Sequence, residues 1–68
     1  MVGRHIRWAR EQAGLTQEQL ADAAGLHRTY VSMLERDKRS PTLEVFFRIS
    51  KALAIQPSKL LKRIEEGL

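Results

Sequence analysis

The sequence predicts an all-α domain built from five short helices. Apolar residues recur at helical spacing in five segments, and Gly, Pro and N-capping residues separate those segments cleanly. No stretch alternates apolar and polar residues as a half-buried strand would.

The first segment runs from about Val2 to Ala13 and stops at Gly14. Val2, Ile6, Ala9 and Ala13 share one helical face, while Arg4, Arg7 and Glu11 take the other. Arg10 sits at the apolar edge, and Trp8 points away from that face. The second segment opens with Leu15-Thr16-Gln17-Glu18-Gln19, in which Thr16 as N-cap and Gln19 three residues on have the pattern of a capping box. Leu20, Ala21 and Ala24 are its inward residues, and Gly25 ends it where a left-handed backbone costs glycine little. The third segment, about Arg28 to Arg36, is anchored by Val31 and Leu34. Arg28, Thr29, Ser32, Met33 and Arg36 fall together on the opposite side, with Tyr30 and Glu35 at the two boundaries. Asp37-Lys38-Arg39-Ser40-Pro41 is a basic loop closed by proline.

The fourth segment follows Thr42, a second N-cap. Leu43, Phe46, Ile49, Ser50 and Leu53 form its inner face, and Glu44, Arg48 and Lys51 its far face. Val45, Phe47 and Ala52 widen the apolar arc beyond what a core-facing stripe needs. The fifth segment begins near Pro57-Ser58 and carries Leu60, Leu61 and Ile64. Its end, Glu65-Glu66-Gly67-Leu68, is expected to fray.

The 68 residues have room for one domain, 1–68. A core of that size supplies only about 3–5 kcal/mol. With no cysteine, disulfides and thiolate metal sites are excluded. His5 and His27 are too few and too far apart for a metal site, and no cofactor is expected. No carboxylate pair or nucleophile–base set is visible, and so short a chain leaves little room for a substrate pocket, which argues against an enzyme and a small-molecule substrate. Lys and Arg number 12 against 8 Asp and Glu, a net charge of +4 that favours a polyanionic partner. No apolar run approaches the roughly 20 residues of a membrane span. The opening Met-Val-Gly-Arg-His lacks an apolar signal region, so a cytoplasmic protein without a membrane partner is expected.

The informative unit is Gln17 to Arg36: two short helices joined by a turn holding Gly25. Leu20, Ala21, Val31 and Leu34 would fill the space between them, leaving the outer face of the second helix free of core duty. Here the chain resembles the phage-repressor-like (Xre/Cro-type) helix-turn-helix family. The resemblance rests on Gly-Leu-Thr-Gln-Glu-Gln-Leu-Ala at 14–21, Ala-Gly-Leu at 24–26, Tyr-Val-Ser-Met-Leu-Glu-Arg at 30–36, Pro-Thr-Leu-Glu at 41–44 and Ile-Ser-Lys-Ala-Leu at 49–53. It implies a five-helix, lambda-repressor-like domain whose third helix enters the major groove of double-stranded DNA.

Carried onto this chain, the resemblance places base reading on Arg28, Thr29 and Ser32, with Met33 either contacting a methyl group or shielding the interface. The arginine fork suits guanine O6 and N7. Gln17 matches the family's phosphate-binding glutamine, and Lys38, Arg39 and Ser40 are suited to grip the backbone. His27 either stands in for an N-cap or touches phosphate. Tyr30 either packs or reaches phosphate with its hydroxyl, and Arg36 either serves the helix C-terminus or DNA. Arg10 and Glu35 match a family ion pair joining the first helix to the third. Two departures stand out. Asp37 replaces a common Gly after the recognition helix, where Asp tolerates left-handed geometry. Ala54 replaces the usual Gly after the fourth segment, which puts the C-cap there in doubt.

A single small module buries too little DNA surface, about 600–1,000 Å², for strong discrimination. A homodimer on a palindrome is therefore expected, joined through the region 42–66 by Val45, Phe47, Ile64 and Leu68. The function expected is a sequence-specific transcriptional regulator, with restriction–modification controller proteins the subfamily it most resembles. An antitoxin repressing its own operon, or a protein-interaction adaptor on the same fold, would share these features.

Overall fold

In the computed structural model, which describes residues 1–67, the chain forms five α-helices: α1 (Val2–Gln12), α2 (Gln17–Ala24), α3 (Arg28–Glu35), α4 (Leu43–Ala52) and α5 (Pro57–Glu66). No strand occurs among the described residues. The all-α expectation holds, and each helix lies within a residue or two of its sequence segment.

One core joins all five helices. Ile6, Leu20, Val31, Ile49 and Leu60 are completely buried, with Leu34 almost so. Ala9, Ala21, Ala24, Phe46, Leu53 and Ile64 complete the cluster. Helix α1 packs on α3 and α5, α2 on α3 and α4, and α4 on α5. The small side chain of Ala21 permits the close approach of α2 and α3.

The helix ends follow the local chemistry. Thr16 Oγ1 accepts from the Gln19 N–H at 3.1 Å and the Thr16 N–H donates to Gln19 Oε1 at 2.9 Å, completing the capping box. Gly25 takes the left-handed conformation at φ 69° and ends α2. Thr42 caps α4 by accepting from the Val45 N–H at 3.1 Å. His27 occupies the N-cap position of α3 but makes no side-chain capping bond, so the first of its two expected roles is not filled.

Both departures from glycine adopt left-handed backbone, Asp37 at φ 58° and Ala54 at φ 55°. Asp37 uses its carboxylate as a cap for a distant helix, accepting from the Gly3 N–H of α1 at 2.9 Å and from the Met1 amino group. These two donors hold the Asp37 carboxyl below the usual carboxylate range, the amino group contributing most. Gly3 lets α1 meet the end of α3, because a Cβ there would lie 2.3 Å from the Leu34 carbonyl oxygen.

Three expectations are corrected. Ile64, expected at a dimer surface, is buried in the monomer core, one helical turn after Leu60 on the inner face of α5. Leu43, expected on the inner face of α4, is 65% exposed in the first helical turn. Ala13 is exposed because α1 ends at Gln12 and Ala13 begins the turn.

Candidate nucleic-acid interface

Val31, Leu34 and Glu35 are the buried residues of α3. Their spacing turns Arg28 and Thr29 outward, where both are exposed, with Ser32 one turn on and half-buried. Gln17, from the first turn of α2, joins Arg28, Thr29 and Ser32 around one shallow open depression. The helix-turn-helix geometry thus gathers four polar side chains from two helices at one concave surface. Met33 is half-buried beside this face, and Arg36 is exposed with Nε near its own helix's Ser32 carbonyl at 3.4 Å.

The basic loop after α3 is open to solvent, and Ser40 borders the hollow that holds Leu43 and Leu61. Lys38, Arg39 and Ser40 are all exposed. The Arg39 guanidinium lies 5.9 Å from the Tyr30 ring centroid, at the outer limit of a cation–π contact. Tyr30 is half-buried, its ring packing against the core without burying the whole side chain, so the two roles expected of it are compatible. His27 is exposed at the start of α3. At α2, Thr16 satisfies the Gln19 N–H, while helix geometry leaves the N–H groups of Gln17 and Glu18 without intrahelical acceptors.

Behind this surface lies the ion pair. Arg10 Nε donates to Glu35 Oε2 at 2.6 Å and Nη2 to Oε1 at 3.0 Å, while Nη1 donates to the Leu15 carbonyl at 2.8 Å. The side chains are 12% and 2% exposed. The hydrogen bonds to Glu35 raise the Arg10 pKa despite the opposing effect of desolvation. Gln17 Nε2 donates to the same Glu35 Oε1 at 3.1 Å, a link absent from the sequence reading.

Sequence reasoning missed two further contacts. Arg48, expected on the far face of α4, reaches back to the helix-turn-helix turn. Its Nε donates to the Ala24 carbonyl at 3.0 Å and Nη2 to the Gly25 carbonyl at 2.9 Å, capping the negative end of α2. The Arg63 guanidinium carbon sits 3.5 Å from the Trp8 ring centroid, which accounts for a tryptophan turned away from the core. Neither contact leaves a local signal in the sequence, because each joins residues more than 20 positions apart.

A family model described as helix-turn-helix matches residues 6–60. The chain belongs to the helix-turn-helix family. This helix-turn-helix protein is 41% identical over 63 residues to control protein C.SmaI of Serratia marcescens, covering 93% of this chain and 75% of that one. The restriction-modification controller protein C.AhdI from Aeromonas hydrophila superposes with a TM-score of 0.84 at 39% identity, covering 87% of this chain and 89% of that one. The biofilm regulator SinR, solved in complex with DNA, superposes with a TM-score of 0.83 at 29% identity, covering 90% and 98%. No helix of the described residues is long and apolar enough to cross a membrane.

Away from this depression, α4 and α5 expose Leu43, Phe47 (47%) and Leu61 (48%). Leu43 shares one surface hollow with Phe47 and another with Leu61, so the three are neighbours. Of the side chains expected at a dimer surface, Phe47 is exposed, Val45 is half-buried against the core and Ile64 is inside it. Leu68 lies outside the described residues.

Proposed function

We propose that residues 1–68 form a single DNA-binding domain that acts as a sequence-specific transcriptional regulator, of the kind represented by restriction–modification controllers. The observation that carries this reading is the uncovered outer face of α3, where Arg28, Thr29, Ser32 and Gln17 meet at one open concavity. In this reading α3 lies in the major groove. Arg28 pairs with guanine, Thr29 and Ser32 read neighbouring bases, and Met33 lines the apolar side of the contact. Gln17, the amides beginning α2, His27, Tyr30, Arg36, Lys38, Arg39 and Ser40 hold phosphates and fix register.

The active species is a homodimer. Leu43, Phe47 and Leu61 are an apolar surface that a two-fold contact would cover. Two copies reading a palindrome supply the discrimination that one module lacks.

The test is selection of bound duplexes from a random pool at fixed salt. A palindromic consensus is expected, and Arg28→Ala should relax preference at one guanine per half-site. An unchanged consensus in that variant would assign the reading to other residues. Sedimentation of Phe47→Glu should yield monomer at concentrations where the unsubstituted chain is dimeric. Identical sedimentation of the two chains would remove Phe47 from the interface.

A further inference from the structure

We propose that Glu35 is a positioning residue for phosphate recognition, fixing the Gln17 amide in its DNA-ready orientation before DNA arrives. This rests on the DNA-binding reading above and assigns Glu35 a role beyond its ion pair. A carboxylate only accepts hydrogen bonds, so the Gln17 amide must turn its nitrogen, not its oxygen, towards Oε1 at 3.1 Å. That bond occupies one of two amide hydrogens. The second remains for an acceptor at the concavity that Gln17 shares with Arg28, Thr29 and Ser32.

A free glutamine side chain loses much rotamer entropy when it binds. The bond to Glu35 moves that ordering into the unbound protein. Glu35 is itself immobile, being buried and held through both oxygens by Arg10. Arg10 has a second duty in this arrangement. A lone carboxylate so close to a bound phosphate would repel it, and the guanidinium cancels that charge. The triad Arg10–Glu35–Gln17 therefore runs from the α1 edge to the DNA-facing surface as one chain of hydrogen bonds.

Two measurements decide the matter. In the unbound protein, 15N relaxation of side-chain amides should show Gln17 as rigid as the backbone, with an order parameter near ~0.85. Exposed Gln12 and Gln56 should fall below ~0.6. A Gln17 amide as mobile as those two overturns the proposal, and this reading needs no variant. The second measurement is a cycle of affinities for a duplex taken from the selection, combining Gln17→Ala with the paired change Arg10→Met and Glu35→Leu. Each arm alone should weaken binding by roughly tenfold, and the two together should weaken it no further. Additive losses, or unaltered affinity after the paired change, refute the positioning role while DNA binding stands. If the unsubstituted chain ignores every duplex, the DNA-binding reading itself fails and this proposal with it.

Discussion

Replacing Arg10 with Met should be more damaging than replacing Arg10 with Met and Glu35 with Leu together. The reason lies in the geometry of the pair. Arg10→Met removes two charge-assisted bonds to a carboxylate that is 2% exposed, leaving Glu35 with the Gln17 amide alone. It also strips the Leu15 carbonyl of its 2.8 Å donor. Hydrogen bonds to charged groups are worth about 1.5–3 kcal/mol each, and breaking one side of a buried pair typically costs about 3–5 kcal/mol. A domain of this size has only about 3–5 kcal/mol in hand, so Arg10→Met should be largely unfolded at 25 °C. Adding Glu35→Leu takes away the stranded charge and gives the core an apolar side chain of similar size. The double variant should lie within about 2 kcal/mol of the unsubstituted chain. Urea titration followed by circular dichroism at pH 7 measures all three proteins. A double variant with a lower midpoint than Arg10→Met would refute the argument, because it would mean that the pair's attraction, not the stranded charge, dominates.

Ala54→Gly should stabilise the fold by about 0.5–1 kcal/mol, a rise of roughly 2–8 °C in Tm, by relieving the left-handed strain of a side chain at φ 55°; an unchanged or lower Tm contradicts this. Asp37→Gly relieves similar strain at φ 58° but deletes the cap on α1, so its Tm should rise less than that of Ala54→Gly. His5 is buried, and its pKa is lowered by desolvation first and then by Arg4, Arg63 and the Met1 amino group. The folded state therefore binds its proton less readily than the unfolded chain does. The resulting stability is complete above about pH 6.5 and declines as pH falls through that value towards the lowered one. Thermal melts from pH 7.5 to 5 should show this slope, and His5→Gln should flatten it; equal slopes in the two proteins would exclude His5 as the source. Arg39→Ala should weaken binding to all duplexes alike and reduce the salt slope by about one, whereas an altered consensus would make it a base reader.

Local chemistry made the fold legible. Thr16, Gln19, Gly25 and Thr42 cap or end helices through bonds spanning only a few residues, and the sequence displays those partners side by side. Helical spacing likewise placed Leu20, Val31 and Ile49 inside and Arg28 and Thr29 outside. It failed at Leu43, because periodicity assigns a residue to a face without saying where that face runs past the edge of the core. It misplaced Ile64 for a related reason, since an apolar residue in a terminal helix serves a core and an interface equally well.

What the sequence alone determined is the set of helices, their breaks and the polar stripe of α3, all consequences of backbone geometry over a few residues. Tertiary packing decided the rest. It brought Asp37 to cap α1, Arg48 to cap α2, Arg63 onto Trp8, and Gln17 to the Arg10–Glu35 pair. Each of these joins groups distant along the chain that only packing brings together, so their partners are chosen by how the helices stack and not by spacing along the chain.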